Sequence, residues 1–323
     1  MDFRILTEPQ QGASYDDLLR IARTAEAAGF DGFFRSDHFL RIGKGSALPG
    51  PTDSWTTLAG LARDTSRIRL GTLVTAATFR NPVILAISTA QVDLMSGGRV
   101  ELGIGAGWYS KEHQALGISF PPTSIRFEIL TEQLEIITDL WRTPIGSTYN
   151  FSGNHYRVQN APTLPKPQQE PRPPIIIGGR GKKRTPRIAA RFANEFNQIF
   201  AEAEPAAQQF DRVMQAAKEA GRSPGEIVRS AAHIVCTGRN RAELDRRYSR
   251  MLEGFAPIPP FILLGSPAQL VDEIERYRET TSLDRLYFEL LDLEDPDHIE
   301  LIADQVVPQL GSRPSDSAIS QRD

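Results

Sequence analysis

Apolar runs of strand length alternate with amphipathic helical stretches along almost the whole chain. Phe3–Leu6 leads into a segment whose apolar face is Leu18, Ile21, Ala22, Ala25 and Ala28, spaced at the 3.6-residue helical period and closed by Gly29. Gly32–Ser36 reads as a second strand and Ser54–Arg63 as a second helix. Ile68–Val74 precedes the helix Pro82–Leu94, with Pro82 in a first turn where its missing N–H leaves no helical bond unmade. Val100–Ile104 is a fourth strand and Arg126–Leu140 a long amphipathic helix. Ile175–Gly178, Gln198–Phe200, Ala232–Cys236 and Arg285–Leu290 are further strands, each followed by helical sequence. Eight strands alternating with helices predict an α/β protein built as a (β/α)8 TIM barrel. A doubly wound open sheet is the rival that periodicity alone does not exclude.

Two stretches interrupt the alternation. Thr143–Pro174 is rich in Pro, Gly, Asn and Tyr, and within it Tyr149–Val158 reads as a hairpin turning at Gly153–Asn154. An excursion of this kind inside a compact domain is usually a functional insertion. Glu253–Gly265, with Pro257, Pro259 and Pro260, reads as a loop over one barrel mouth. The expected organisation is one domain over residues 1–310, an insertion at about 143–174 on the C-terminal face of the barrel, and a disordered tail over 311–323.

Composition narrows the function classes. The formal net charge of −3 favours neither a nucleic-acid groove nor an anionic membrane face, and no apolar run approaches spanning length. The lone Cys236 sits in the apolar run Ile234–Val235–Cys236, as a buried structural thiol would, and fits a reducing compartment. Met1–Asp2–Phe3–Arg4 opens no basic leader followed by an apolar stretch, so a soluble cytoplasmic protein with a small-molecule substrate is expected.

In a barrel, chemistry belongs at the carboxyl ends of the strands. Three of those ends carry unusual residues: Ser36–Asp37–His38–Phe39, the run Gly103–Ile104–Gly105–Ala106–Gly107–Trp108, and Ile177–Gly178–Gly179–Arg180–Gly181. A strand-end histidine can hold a ring nitrogen or carbonyl, or shuttle a proton; it can equally be a core histidine satisfied by a backbone carbonyl. G-x-G-x-G is not the dinucleotide fingerprint, and on spacing alone a tight strand-end turn is the better reading. Two glycines followed by Arg180, Lys182, Lys183 and a helix make a plausible phosphate cradle, although those cations also fit a solvated helix start. Glu112 and His113 offer an acid/base pair, but Glu-His at a helix start is more often capping and surface. The histidines show no metal-ligand spacing, and there is no nucleophile elbow. A site with glycine-lined backbone, aromatic walls and no nucleophile suits a cofactor that does the chemistry itself.

These blocks resemble the luciferase-like monooxygenase family. The resemblance rests on Ser36-Asp37-His38-Phe39, on Leu70-Gly71-Thr72-Leu73-Val74-Thr75 with Phe79-Arg80-Asn81-Pro82, and above all on the D-x-x-S-G-G-R-x-x-L-G-x-G-x-G-W block from Asp93 to Trp108. Glu112-His113, Gly117, Phe120-Pro121, Arg126-Phe127 and Pro174–Gly179 extend it over nearly the whole chain. It implies a (β/α)8 barrel binding a reduced flavin or the deazaflavin coenzyme F420, and the short length and the Gly-Ala-Gly-Trp-Tyr block look most like the F420-dependent oxidoreductases. It further implies that Asp37 and His38 contact the deazaflavin and manage its proton. Leu73, Val74 and Thr75 would back the ring, with a non-prolyl cis peptide at Leu73–Val74. Gly105, Ala106 and Gly107 would border the cofactor, and Gly178, Gly179 and Arg180 would hold its phosphate. Relatives resembling the F420-dependent glucose-6-phosphate dehydrogenase carry a glutamate after the third glycine as general acid. Here Trp108 stands there, followed by Tyr109, which suggests an aromatic wall for a flat or apolar substrate.

The expected function is hydride transfer between deazaflavin C5 and a small organic substrate. The alternative is an FMN-dependent monooxygenase activating O2 at reduced flavin, and a third reading is a non-catalytic flavin store or sensor. A homodimer, common among relatives, is expected.

Overall fold

The alternation read from the sequence closes into a parallel barrel, seen in a computed structural model that describes residues 1–43, 45–252 and 258–311. In chain order, β1 (Asp2–Thr7), α1 (Tyr15–Ala27), β2 (Gly32–Arg35) and α2 (Ser54–Asp64) come first. They are followed by β3 (Arg69–Thr72), the short β4 (Thr75–Ala76), α3 (Pro82–Ser96), β5 (Val100–Gly105), α4 (Ser110–Ala115) and α5 (Thr123–Arg142). The hairpin β6 (Thr148–Ser152) and β7 (Arg157–Pro162) interrupts the pattern before β8 (Ile175–Gly178), α6 (Arg184–Phe192), β9 (Glu195–Ile199) and α7 (Ala203–Glu219). The chain ends with β10 (Val228–Thr237), α8 (Arg241–Leu252), β11 (Leu263–Gly265), α9 (Pro267–Thr281), β12 (Arg285–Leu290) and α10 (Pro296–Gln305). Strands β1, β2, β3, β5, β8, β9, β10 and β12 pair in that order, and β12 returns to β1 with Asp2 opposite Arg285 and Thr7 opposite Leu290. The open-sheet rival is thereby excluded.

Local signals set the helix starts. The Ser14 hydroxyl accepts from the Asp17 N–H while the Asp17 carboxylate accepts from the Ser14 N–H, a reciprocal cap. Asp53 and Asn81 cap α2 and α3 in the same way from one side. The expected hairpin is present, and its turn is pinned from α5: the Glu132 carboxylate accepts the N–H groups of Asn154, His155 and Tyr156 at 2.7, 3.0 and 3.0 Å.

Three expectations are corrected. The sixth barrel strand runs over Glu195–Ile199 rather than Gln198–Phe200, because its inward residues are polar and leave no apolar run to read. The third strand does not continue from Ile68 to Val74. Gly71 pairs with Glu101 and Thr75 with Ile104, so the strand-three side holds one residue more than β5 and the segment bulges between β3 and β4. Of the expected mouth loop, Leu263–Gly265 is a strand on β10. Residues 253–257 of that loop and 312–323 of the tail lie outside the described residues.

The barrel interior is layered. Its floor is ionic: Arg4 Nη1 donates to Glu101 Oε2 at 2.8 Å, Arg69 binds the other oxygen of Glu101, and Arg285 binds Glu195 and Asp2. The hydroxyls of Tyr287 and Ser230 donate to Glu195 Oε1 at 2.8 and 2.5 Å. Above this lies an apolar layer of Leu6, Phe34, Leu73, Ile176 and Ala232 with the Tyr287 ring. Outward-facing residues of the same strands, such as Leu286, Phe288 and Leu290 of β12, pack into the helix-covered core. Cys236 is buried as expected, and burial pushes its thiol up to about 12.

Two consequences are measurable. Burial alone would raise the Glu101 pKa, but Arg4, Arg69 and Arg285 hold it at about 2 against an ordinary 4.5. The stabilisation is complete above the unfolded-state value and is lost as pH falls from about 4.5 toward 2. Denaturant titrations between pH 6 and 3 should show that loss, and E101Q, less stable at pH 7 by about 3–5 kcal/mol, should show a shallower one. The second concerns Gly103, where a Cβ would lie 2.0 Å from the Thr72 carbonyl oxygen. G103A must displace backbone, and a loss of about 3 kcal/mol or more is expected in a melting experiment.

Candidate functional site

The C-terminal mouth of the barrel gathers the strand ends singled out from the sequence. At the end of β2, Asp37 is buried and held bidentately by Arg80, which reaches from the turn before α3; the second contact is 3.2 Å, and Arg80 also binds Asp53. Burial works against the charge on Arg80, but the carboxylates of Asp37 and Asp53 overcome it and raise its pKa. Beneath them Arg35 is fully buried, with Nη1 donating to the Thr52 and Thr57 hydroxyls at 2.9 and 2.8 Å and Nη2 to the Thr52 carbonyl at 2.7 Å. Burial brings its pKa down to about 10.

His38 is fixed by a residue read as surface. Glu112 of α4 is wholly buried, and one of its oxygens lies 2.9 Å from His38 Nδ1. The other accepts the N–H of Phe39, and of Leu40 at 3.0 Å. An acidic partner at Nδ1 assigns the proton there, leaving Nε2 for a ligand. His113 is likewise buried rather than exposed: its Nδ1 donates to the Tyr109 carbonyl at 2.8 Å and its Nε2 accepts from the Thr78 hydroxyl at 2.6 Å. The correction to Glu112 and His113 has a simple cause. A six-residue helix after a glycine turn looks peripheral in sequence, yet the fold tucks α4 under the β2 loop.

The glycine run serves the chain's own backbone. A Cβ on Gly103 would meet the Thr72 carbonyl, on Gly105 the Val74 side chain at 3.1 Å, and on Gly107 (φ +77°) the Thr78 hydroxyl at 3.1 Å. The three glycines admit the bulge from Thr72 to Thr78 against β5. Within that bulge the Leu73–Val74 peptide is cis, as the resemblance implied. The Thr75 hydroxyl donates to Thr72 Oγ1 at 3.2 Å, and Thr72 Oγ1 donates to the Gly103 carbonyl at 2.9 Å. Ala106 is half-buried against the core. Trp108 is 62% exposed and stacks on Tyr109 with ring centroids 5.1 Å apart. Both rings meet the His38 imidazole edge-on, at 5.7 and 6.1 Å.

At the end of β8, Gly179 adopts φ +137°, and its carbonyl accepts from Gln198 Nε2 at 3.0 Å. Lys183, at the N-cap of α6, provides no side-chain cap, so among the described residues the first N–H groups of that helix have no capping side chain. Arg180 turns to the carbonyls of Ile199 and Phe200, at 3.0 and 2.6 Å, while Lys182 and Lys183 are exposed.

Thus Asp37, His38, Trp108 and Tyr109 come together at one rim, with Leu73–Thr75 beside them and Gly178–Arg180 across the β5–β8 pairing. Sequence reasoning missed Arg80 and Glu112 as anchors. Their partners lie 43 and 74 residues away, which no local pattern reveals.

Residues 1–260 match the model of the luciferase-like monooxygenase family. An F420-dependent glucose-6-phosphate dehydrogenase from Amycolatopsis mediterranei is 28% identical over 91% of this chain and 85% of its own length. The pyrimidine monooxygenase RutA of Pseudomonas syringae pv. syringae is 29% identical over 76% of this chain and 67% of its own. Among solved structures, an F420-dependent secondary alcohol dehydrogenase in complex with an F420-acetone adduct superposes with a TM-score of 0.83 at 19% identity, over 96% of this chain and 99% of that one, a likeness of fold. The chain is an oxidoreductase, and it belongs to the luciferase-like monooxygenase family.

Proposed function

We propose that the protein is an F420-dependent oxidoreductase moving a hydride between deazaflavin C5 and a small organic substrate. The observation that carries this reading is the immobilised end of β2, where Arg80 clamps Asp37 and Glu112 fixes His38 by Nδ1. Such a rim suits holding a heterocycle in one orientation, since each polar group is already paid its ordering cost by a buried partner. The glucose-6-phosphate dehydrogenase relative, matched over 91% of this chain, supports F420 as the partner.

The residues fit that cofactor. The uncapped N-terminus of α6, entered through the left-handed Gly179, suits a phosphate held by backbone N–H groups. Asp37 and His38 would face the ring system, Leu73, Val74 and Thr75 would back it, and Gly105–Gly107 would lie along its edge. When bound, the deazaflavin supplies two-electron chemistry that no side chain here offers. Trp108 and Tyr109 would wall the substrate and exclude water. In the same reading residues 1–310 form one domain with 143–174 as its insertion, and the protein works in the cytoplasm as a homodimer. The outward face of α3, with Ile84 and Leu94 exposed at 57% and 44%, supports a second copy as the covering surface. Family kinship with pyrimidine monooxygenases favours a second reading, an FMN-dependent monooxygenase on the same rim.

Titration of the purified protein with F420 and with FMN, followed by cofactor fluorescence, decides between them. Micromolar F420 binding with at least tenfold weaker FMN binding is expected; FMN binding alone, with oxygen uptake on turnover, would establish the second reading. Removing the Glu112 carboxylate strands two backbone N–H groups and frees His38. E112A should therefore weaken F420 binding at least tenfold and cost about 2–4 kcal/mol of stability. Amide exchange at Phe39 and Leu40 should accelerate in E112A while exchange in β12 stays unchanged.

A further inference from the structure

One inward-facing group of the barrel has no partner. Along β12, Leu286, Phe288 and Leu290 pack outward into the helix-covered core, while Arg285 and Tyr287 face the interior. Period-two alternation puts Glu289 on the interior side, opposite Leu6 of β1 and Ile234 of β10. It is 1% exposed, and neither carboxyl oxygen has a hydrogen-bond partner among the described residues. At the turn after β1, Gln10 is also wholly buried; its Oε1 accepts from the Ser36 hydroxyl at 2.5 Å, and its Nε2 is unpartnered. A buried carboxyl and a buried amide donor without partners at a barrel mouth are groups kept for a ligand.

The surroundings decide the carboxyl's charge. Floor arginines Arg4, Arg69 and Arg285 are taken by Glu101, Glu195 and Asp2. Arg250 of α8 is paired with Asp292 and Glu294, and Arg180 with two carbonyls. On β10, His233 lies on the outer side, edge-on to Tyr277 and bound to the Phe261 carbonyl. The charged group acting on Glu289 is Glu8, which follows β1 and repels a second negative charge. Burial and Glu8 both drive the Glu289 pKa well above the ordinary carboxylate range.

We propose that Glu289 is the acid of this site, giving its proton to the oxygen of an uncharged carbonyl substrate and taking it back when the corresponding alcohol is oxidised. The proposal rests on the hydride-transfer reading. In the reducing direction the C5–H bond of the reduced deazaflavin would break, its hydrogen and electron pair would form the new C–H bond at the carbonyl carbon, and the deazaflavin would be oxidised. The C=O π pair forms the new O–H bond with the Glu289 proton, and Glu289, left as a carboxylate, regains a proton from solvent. A neutral acid beside Glu8 selects neutral aldehydes, ketones or alcohols and disfavours phosphorylated and carboxylate compounds, whose charge Glu8 would repel.

The glutamine variant E289Q keeps the shape and removes the proton. In the protein without cofactor, the folded wild type retains a proton that the unfolded chain releases above about pH 4.5, so its stability falls as pH rises. The melting temperature of E289Q relative to wild type should therefore climb steadily from pH 5 to 8; a flat difference would overturn the proposal. With F420 loaded and a panel of small ketones and secondary alcohols, E289Q should bind F420 within twofold of wild type and lose on the order of 100-fold in kcat. Unimpaired turnover by E289Q sinks the proposal while the hydride-transfer reading stands. If wild type does not bind F420, that reading falls and takes the proposal with it.

Discussion

The closed barrel depends on charge neutralisation at its floor. A barrel of this kind usually fills its interior with branched apolar side chains. Here Arg4 and Arg285 stand inside, and the fold holds only because Glu101, Glu195 and Asp2 meet them there. These partners come from β1, β5, β9 and β12, so the same contacts that neutralise the charges also fix how the strands are staggered. Glu101 binds Arg4 on one oxygen and Arg69 on the other, which ties β5 to β3 immediately below the bulge that shapes the mouth. Ion pairs of this sort add little net stability compared with an apolar core, but an unpaired member is costly. Their effect is to penalise any register other than the observed one.

The mouth repeats the problem with different outcomes. Three buried carboxyls meet three environments: Asp37 a guanidinium, Glu112 an imidazole and two backbone N–H groups, and Glu289 only the repulsion of Glu8. The first two are satisfied and therefore rigid; they hold the end of β2 where a ring would be gripped. The third is unsatisfied and therefore available. Identical side-chain chemistry becomes an anchor or a reagent according to what the neighbouring strands present.

What the sequence made legible was what short-range physics controls. Strand and helix alternation, the helix-end signals Gly29 and Pro82, the hairpin at Gly153–Asn154 and the buried Cys236 all follow from patterns a few residues long. The inward polar layer did not follow, because a search for apolar runs passes over strands whose hidden face is charged. Glu195 and Asn197 of β9 were lost for that reason. Glu289 carried a readable signal, since Arg285, Tyr287 and Glu289 alternate with Leu286, Phe288 and Leu290 as they would on a strand with one polar and one apolar buried face. Arg80 and Glu112 stood in recognisable blocks, but nothing there named Asp37 and His38 as their partners, since those contacts exist only once the strands are brought together.

The glycine run is the instructive case, because its spacing was plain and its purpose was not. Gly103 and Gly105, at alternate positions of β5, face one way, and the bulged segment after Thr72 occupies that side. The space that side chains would have filled is taken by the Thr72 carbonyl and by Val74, so the glycines are needed before any ligand arrives. The bulge is thus a wall of the mouth that Gly103 and Gly105 allow to exist. Their requirement is steric and internal, and it holds whichever ring the mouth takes.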